Sequence, residues 1–132
     1  MNCWSKWLDF WLQTLKPFVP TFVSNGDQVL DHIERFDLPS NARLFTTDAT
    51  AMYNNIHTDH AITVITWWIR DIESKNLLPE GFPSDAVISA MITIMKNNIF
   101  EFGDMYFLQL LGTAIGTSAT CMWATLYYAY HE

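Results

Sequence analysis

Apolar residues recur at every third or fourth position in several stretches of the chain, a spacing that predicts amphipathic helices. Residues 1–16 place tryptophan and leucine on one face, and Pro17 ends this first helix. Ser24 stands three residues before Asp27, an arrangement that resembles a capping box and opens a second helix ending before Pro39. The remaining predicted helices cover about residues 58–75, 83–97 and 118–130.

Two other stretches have the composition of β-strands. Residues 99–109 alternate apolar and polar side chains around Glu101, and Gly103–Asp104 between the two halves predicts a hairpin turn. Arg43–Thr47 is rich in β-branched and aromatic residues and follows the turn formers Ser40–Asn41, so it predicts a strand of five or six residues. Helices combined with a small amount of strand indicate an α+β fold.

Composition adds a hydrophobic core and an acidic charge to this picture. Half of the 132 residues are hydrophobic and 15% are aromatic, which is enough for one folded domain or part of a larger one. The formal charge of −7 is opposite to the basic surface that nucleic-acid binders usually carry. Cys3 and Cys121 form no C-x-x-C unit and no signal peptide precedes them, so we expect free thiols in an intracellular protein of the nucleus or cytoplasm that is not secreted.

Asp48 and Tyr53 are the first candidates for chemistry. Asp48 directly follows the predicted strand, and the end of a strand is where α/β architectures place catalytic groups. The alternative is a turn or capping role for Asp48 and a core role for Tyr53. His57 and His60 stand three apart and could share a metal ion, but without a third ligand close in sequence they fit solvated residues at a helix start better.

Two motifs resemble those of reverse transcriptases. Residues 44–56 read LFTTDATAMYNNI and are similar to the first catalytic motif of Penelope-like and related retroelement enzymes. Residues 100–132, which begin FEFGDMYFLQLLGTAIGT, resemble the hairpin and G-T-A-M-G-T motif of the same group. The resemblance covers residues 17–132 and implies a partial polymerase palm and fingers, with a short antiparallel sheet and a β-hairpin packed on helices. Residues 1–16 form an amphipathic helix of uncertain assignment.

The resemblance implies template-directed nucleotidyl transfer by an RNA-directed DNA polymerase that uses two Mg²⁺ ions. Asp48 would be the catalytic metal ligand, with the backbone carbonyl of Ala49 as a further ligand, and Tyr53 would exclude a ribose 2′-hydroxyl. No Asp-Asp pair occurs in the chain, so the expected fragment ends before that motif and is inactive alone. The implied partners are template-primer, deoxynucleotides and the missing carboxyl-terminal palm and thumb, with no membrane. The other nucleotide-binding residues would be Gln109, Gly112, Thr113 and Gly116.

Two other readings of the sequence remain. The chain could be a non-catalytic relic or protein-interaction module that uses its aromatic surface. It could also be a small membrane protein, because residues 105–130 carry no formal charge and are long enough to span a bilayer. That second reading gains support from the G-x-x-x-G spacing of Gly112 and Gly116.

Overall fold

The structure, a computed structural model, describes residues 3–132. Helices dominate this range, and its strands form one two-stranded antiparallel sheet, which confirms the α+β prediction at a coarse level. The elements in chain order are α1 (Cys3–Gln13), a 3₁₀ turn (Lys16–Phe18), α2 (Gly26–Arg35), α3 (Thr58–Ser74), α4 (Ser84–Lys96), β1 (Ile99–Phe102), β2 (Met105–Leu108) and α5 (Thr120–Ala129).

The core lies among α1, α3, α4 and α5, with α1 and α3 each packing on both α4 and α5. The isoleucine stripe predicted for α3 is largely confirmed: Ile65, Ile69 and Ile72 are buried and Ile62 is half-buried. The indole N–H of Trp68 donates to the carbonyl oxygen of Leu126 at 3.1 Å and joins α3 to α5. The buried apolar side chains of the four helices form one cluster, which fixes their relative positions.

Helix α2 lies outside this core, and none of its residues is buried. Its N-cap is Asn25 rather than the predicted Ser24. Asn25 has the extended backbone that a cap requires, and its side-chain oxygen accepts a hydrogen bond from the Gln28 N–H at 3.0 Å. The Gln28 side chain in turn accepts from the Ser24 N–H at 2.9 Å, so a reciprocal pair forms one position later than predicted.

The predicted strand at Arg43–Thr47 is wrong. Residues 42–49 take part in no sheet, and the Leu44 and Phe45 side chains are 75% and 87% exposed. A strand needs a neighbour to pair its N–H and C=O groups, and the sheet described within residues 3–132 contains β1 and β2 alone. Strand-forming composition is therefore not sufficient at this position.

The predicted hairpin is confirmed, but its packing on the helices is not. Gly103 begins the turn at φ +64°, and Phe100 pairs with Phe107 across the strands with stacked rings 5.6 Å apart. All residues of β1 and β2 are exposed. None of these residues belongs to the cluster of buried core side chains or to the side chains packed against it, so the hairpin lies outside the helical core.

The helix considered for residues 105–130 is not formed. This segment divides into β2, an irregular loop and the ten-residue α5. Across the described range, residues 3–132, we find no helix with the length and apolar character needed to cross a bilayer.

We expect Ile69→Ala to lower the free energy of unfolding by about 2–5 kcal/mol, because it leaves a cavity in a fully buried site. Leu44→Ala is the control and should change it by less than about 0.5 kcal/mol, because Leu44 is exposed. Urea denaturation followed by circular dichroism measures both. Equal losses for the two variants would contradict this assignment of the core.

Candidate functional site

A tight backbone turn follows Asp48, and we call residues 50–56 the Tyr53 turn. The N–H groups of Asn54 and Asn55 both donate to the Ala51 carbonyl, at 2.9 and 3.2 Å. The Asn55 side-chain amide donates to the Thr50 carbonyl at 2.9 Å. Ala51 has φ +48°, a left-handed conformation that is uncommon outside glycine, asparagine and aspartate. The segment is thus held as a compact turn although it belongs to no helix or strand.

The Tyr53 turn packs directly against the glycine loop, residues 112–116. The Thr113 N–H donates to the Tyr53 carbonyl and the Gly112 N–H donates to the Ile56 carbonyl, both at 2.9 Å. A Cβ on Gly112 would lie 2.8 Å from the Tyr53 carbonyl oxygen and 2.9 Å from the Asn54 Cα. Gly112 also has φ +79°. Glycine is required here for both its backbone conformation and its lack of a side chain.

Side chains from α5 and α3 hold the turn from the other side. The Tyr128 hydroxyl donates to the Met52 carbonyl at 2.9 Å, and the Tyr53 hydroxyl lies 3.7 Å from the Cys121 Sγ. The Thr58 hydroxyl reaches the Gly112 carbonyl at 3.3 Å. Sequence reasoning missed Cys121 and Tyr128 because their partners lie 68 and 76 residues away, where no local pattern reports the contact.

These surroundings raise the pKa of both phenols. The hydrogen bond with Cys121, with smaller effects from burial and the nearby thiol charge, raises the pKa of Tyr53 above its ordinary value of 10.0. Burial and the adjacent Tyr127 raise the pKa of Tyr128. A tyrosine is already neutral at physiological pH, so these shifts extend the neutral form of both rings to higher pH.

The predicted site residues separate into two groups. Tyr53, Gly112 and Thr113 are brought together by the backbone hydrogen bonds described above. Asp48 and Ala49 are exposed and precede the Tyr53 turn on the unpaired segment of residues 42–49. The acid therefore stands next to the turn in sequence and is open to solvent.

The side chains of Thr113 and Gln109 have partners outside the Tyr53 turn, and Gly116 lies elsewhere. The buried Thr113 hydroxyl points toward the Met95 sulfur at 3.7 Å, so Thr113 offers the turn its backbone rather than its side chain. The Gln109 side chain donates to the Leu111 carbonyl at 3.0 Å. Gly116 lines a separate cleft between α1 and α4.

Asp48 and Ala49 offer oxygen atoms of the kind that Mg²⁺ binds. Mg²⁺ in proteins is usually held by one or two carboxylates together with substrate phosphates, and the Asp48 carboxylate and Ala49 carbonyl are ligands of that kind. Within residues 3–132 no group of three or more His, Cys, Asp or Glu side chains is placed to hold a metal ion. Asp48 and Ala49 by themselves therefore do not complete a two-ion site. His60, considered above together with His57 as a metal ligand, contacts the rings of Tyr127 and His131, with ring centroids 5.7 and 5.3 Å away.

Comparison with known proteins assigns neither a family nor a function to the chain. No family model matches the chain, and no curated protein or solved structure matches it. The likeness to reverse transcriptase motifs therefore rests on the residues quoted above.

We expect Gly112→Ala to destabilise the chain more than Gly81→Ala. Gly81 has φ +76°, nearly the same as Gly112, but open space surrounds its Cβ position. Both variants should lose about 1–2 kcal/mol from the left-handed backbone, and Gly112→Ala should lose roughly a further 1–3 kcal/mol from the steric clash. Urea denaturation of the two variants tests this difference, and equal losses would show that the close contact does not limit residue 112.

We expect Cys121→Ala to lower the pKa of Tyr53 toward 10.0, because the largest cause of its elevation is removed. Folding raises this pKa, so the interaction contributes stability below pH 10 and the contribution is lost as the pH rises through the folded pKa. NMR titration of ¹³Cζ-labelled tyrosine measures the shift, with Tyr53→Phe assigning the signal. Cys3→Ala is the control and should leave the signal unchanged. A Tyr53 pKa unaffected by Cys121→Ala would refute the proposed cause.

Proposed function

We propose that this chain forms the palm and fingers portion of an RNA-directed DNA polymerase of the retroelement type. The proposed reaction is template-directed addition of deoxynucleotides with Mg²⁺. The main support is the direct contact between the Tyr53 turn and the glycine loop, the two segments that resemble polymerase motifs. Those segments are separated in sequence by α3, α4 and the hairpin, so their contact is a property of the fold.

In this proposal, the Tyr53 ring lies beside the sugar of the incoming nucleotide. The ring is half-buried, and its hydroxyl contacts Cys121 while Tyr128 holds the preceding carbonyl of Met52. A ring fixed in this way leaves little space for a 2′-hydroxyl, which would select deoxynucleotides. Tyr53→Ala in a complete enzyme would therefore reduce discrimination against ribonucleotides.

Asp48 and the glycine loop would serve the phosphate end of the same nucleotide. The Asp48 carboxylate and the Ala49 carbonyl would hold a Mg²⁺ ion, which would supply charge neutralisation for phosphoryl transfer. The absence of a side chain at Gly112 brings the loop backbone close to the turn. The Gly112 and Thr113 N–H groups already donate to the Ile56 and Tyr53 carbonyls, so a bound ligand would meet the loop backbone after Thr113. Gln109 precedes this loop and would contribute through its amide once released from the Leu111 carbonyl.

The acidic charge of the chain opposes binding of a nucleic acid by this chain alone. A net charge of −7 repels a phosphate backbone, so binding of template-primer requires basic surface from elsewhere. We propose that a carboxyl-terminal palm and thumb supplies that surface and the remaining metal-binding carboxylates, in the nucleus or cytoplasm. One carboxylate cannot hold two Mg²⁺ ions against their hydration, so this chain alone would be inactive.

We expect Mn²⁺, added with a deoxynucleoside triphosphate, to broaden the backbone amide NMR signals of residues 48–53 first. Asp48→Asn should abolish this broadening because it removes the anionic ligand. Asp104→Asn is the matched control, since Asp104 is an exposed carboxylate in the hairpin turn, and it should leave the broadening in place. Broadening centred on another acidic segment would refute the assignment of Asp48.

We expect no primer extension by the 132-residue chain with template-primer, deoxynucleotides and Mg²⁺. The reason is the incomplete set of metal ligands within its described residues. The assay measures labelled product length on a denaturing gel, beside a complete reverse transcriptase as a positive control. Robust extension by this chain would show that Asp48 does not require further carboxylates.

A second candidate function is that of a protein-interaction module. Contiguous exposed apolar surface commonly marks a binding site. One face of the hairpin carries four exposed apolar side chains: Phe100, Phe102, Met105 and Phe107. The Mn²⁺ experiment separates the two candidates, because an interaction module predicts no nucleotide-dependent broadening at residues 48–53.

A further inference from the structure

A cleft of about 660 Å³ opens between the start of α1, the outer face of α4 and residues 116–118. Its volume lies within the range of roughly 300–1,000 Å³ that is typical of small-molecule sites. The aromatic ring of Trp4 belongs to its lining, and the small residues Ala86 and Ala90 leave room along the α4 wall. No residue of the Tyr53 turn is part of that lining, and Gly116 is the one residue that the cleft shares with the glycine loop.

The lining of the cleft is uncharged. Charged residues make up 16% of the chain, yet none of the described residues that line the cleft is Asp, Glu, Lys or Arg. Two basic residues adjoin the lining in sequence, Lys6 and Lys96; neither lines the cleft, and Lys96 bonds Asp59 of α3 at 2.7 Å. A charged ligand would lose hydration here without gaining an opposite charge, which favours a neutral ligand.

Two polar side chains on the α4 wall already donate a hydrogen bond to a carbonyl of the helix. The Thr93 hydroxyl donates its proton to the Ser89 carbonyl at 2.9 Å, so toward a ligand it can only accept. The Asn97 side-chain amide donates to the Thr93 carbonyl at 2.7 Å. The cleft also borders the last turn of α4, where backbone carbonyls give a negative partial charge. A ligand that presents an N–H donor matches these groups.

We propose that this cleft binds an uncharged aromatic ring that carries an N–H donor. The ring packs against Trp4 and the small residues of α4, and its N–H donates to the Thr93 hydroxyl. The site needs no nucleotide and no metal ion, so it is independent of the polymerase proposal. Its occupant is a small neutral heterocycle rather than a nucleic-acid phosphate.

Three probes that differ by one group test this chemistry. Indole, 1-methylindole and indole-3-acetate are titrated separately into the ¹⁵N-labelled chain, and amide shifts are followed by NMR. Indole should shift the signals of Ser89, Thr93 and residues 116–118 saturably. 1-Methylindole, which lacks the N–H, should bind several-fold to about tenfold more weakly, the effect of one lost hydrogen bond. Indole-3-acetate should also bind more weakly than indole, because its carboxylate enters an uncharged cleft beside a helix carboxyl end.

A matched pair of variants locates the hydrogen bond. Thr93→Val should remove the preference for indole over 1-methylindole. Thr63→Val is the control, because the Thr63 hydroxyl makes the same type of bond, to the Asp59 carbonyl at 3.1 Å, on α3 away from the cleft. Ser89→Leu should weaken both indoles by filling the cleft, and the amide spectrum of each variant shows that it remains folded.

The outcomes that overturn the proposal are distinct. Equal affinity for indole and 1-methylindole would refute the N–H donor. Saturable shifts elsewhere on the folded chain, or no saturable shift at all, would refute the cleft as the site. An indole preference that survives Thr93→Val would refute the role of the Thr93 hydroxyl.

Discussion

The absence of a side chain at Gly112 allows two distant backbone segments to hydrogen-bond directly. The Tyr53 and Ile56 carbonyls receive the N–H groups of Thr113 and Gly112, and a Cβ on Gly112 would lie within 3 Å of this backbone. Ile56 is buried just before α3 begins, and the glycine loop leads into α5. The same contact therefore sets where α3 and α5 enter the core, so the candidate site and the fold share one steric requirement.

Helix α5 determines how the Tyr53 ring is presented. The turn belongs to no regular element, and its position depends on hydrogen bonds from Tyr128 and the contact with Cys121. Both residues project from the helix whose Trp123 and Leu126 are fully buried. A shift of α5 along its axis would expose those side chains, so core packing transmits a fixed position to Tyr53. The half-buried Tyr53 side chain is held in this way by α5, whose inner face is buried in the core.

The sequence predicted those elements that a pattern of a few neighbouring residues indicates. It did not predict contacts between residues that are far apart in the chain. Periodic isoleucines located α3, and Gly103 located the hairpin turn, because each pattern is read over a few residues. Arg43–Thr47 was wrong because strand composition reports a side-chain preference, whereas a strand also requires a pairing partner. The motif resemblance singled out Tyr53 and Gly112, and the structure places them in contact. Nothing local to either motif indicates that Cys121 would reach Tyr53.

Residues 43–49 and the hairpin both have groups that no neighbouring element covers. Among the residues that the structure describes, positions 43–49 make no backbone–backbone hydrogen bond, and both faces of the hairpin expose apolar side chains. An additional strand beside residues 43–49 would pair those backbone groups and give Leu44 and Phe45 neighbours. The core of the four helices is already complete without it. Such a strand would therefore act mainly on the surface around Asp48, fixing an acid that is open to solvent on a rigid sheet. If Asp48 holds a metal ion as proposed, that rigidity would position the ion for phosphoryl transfer.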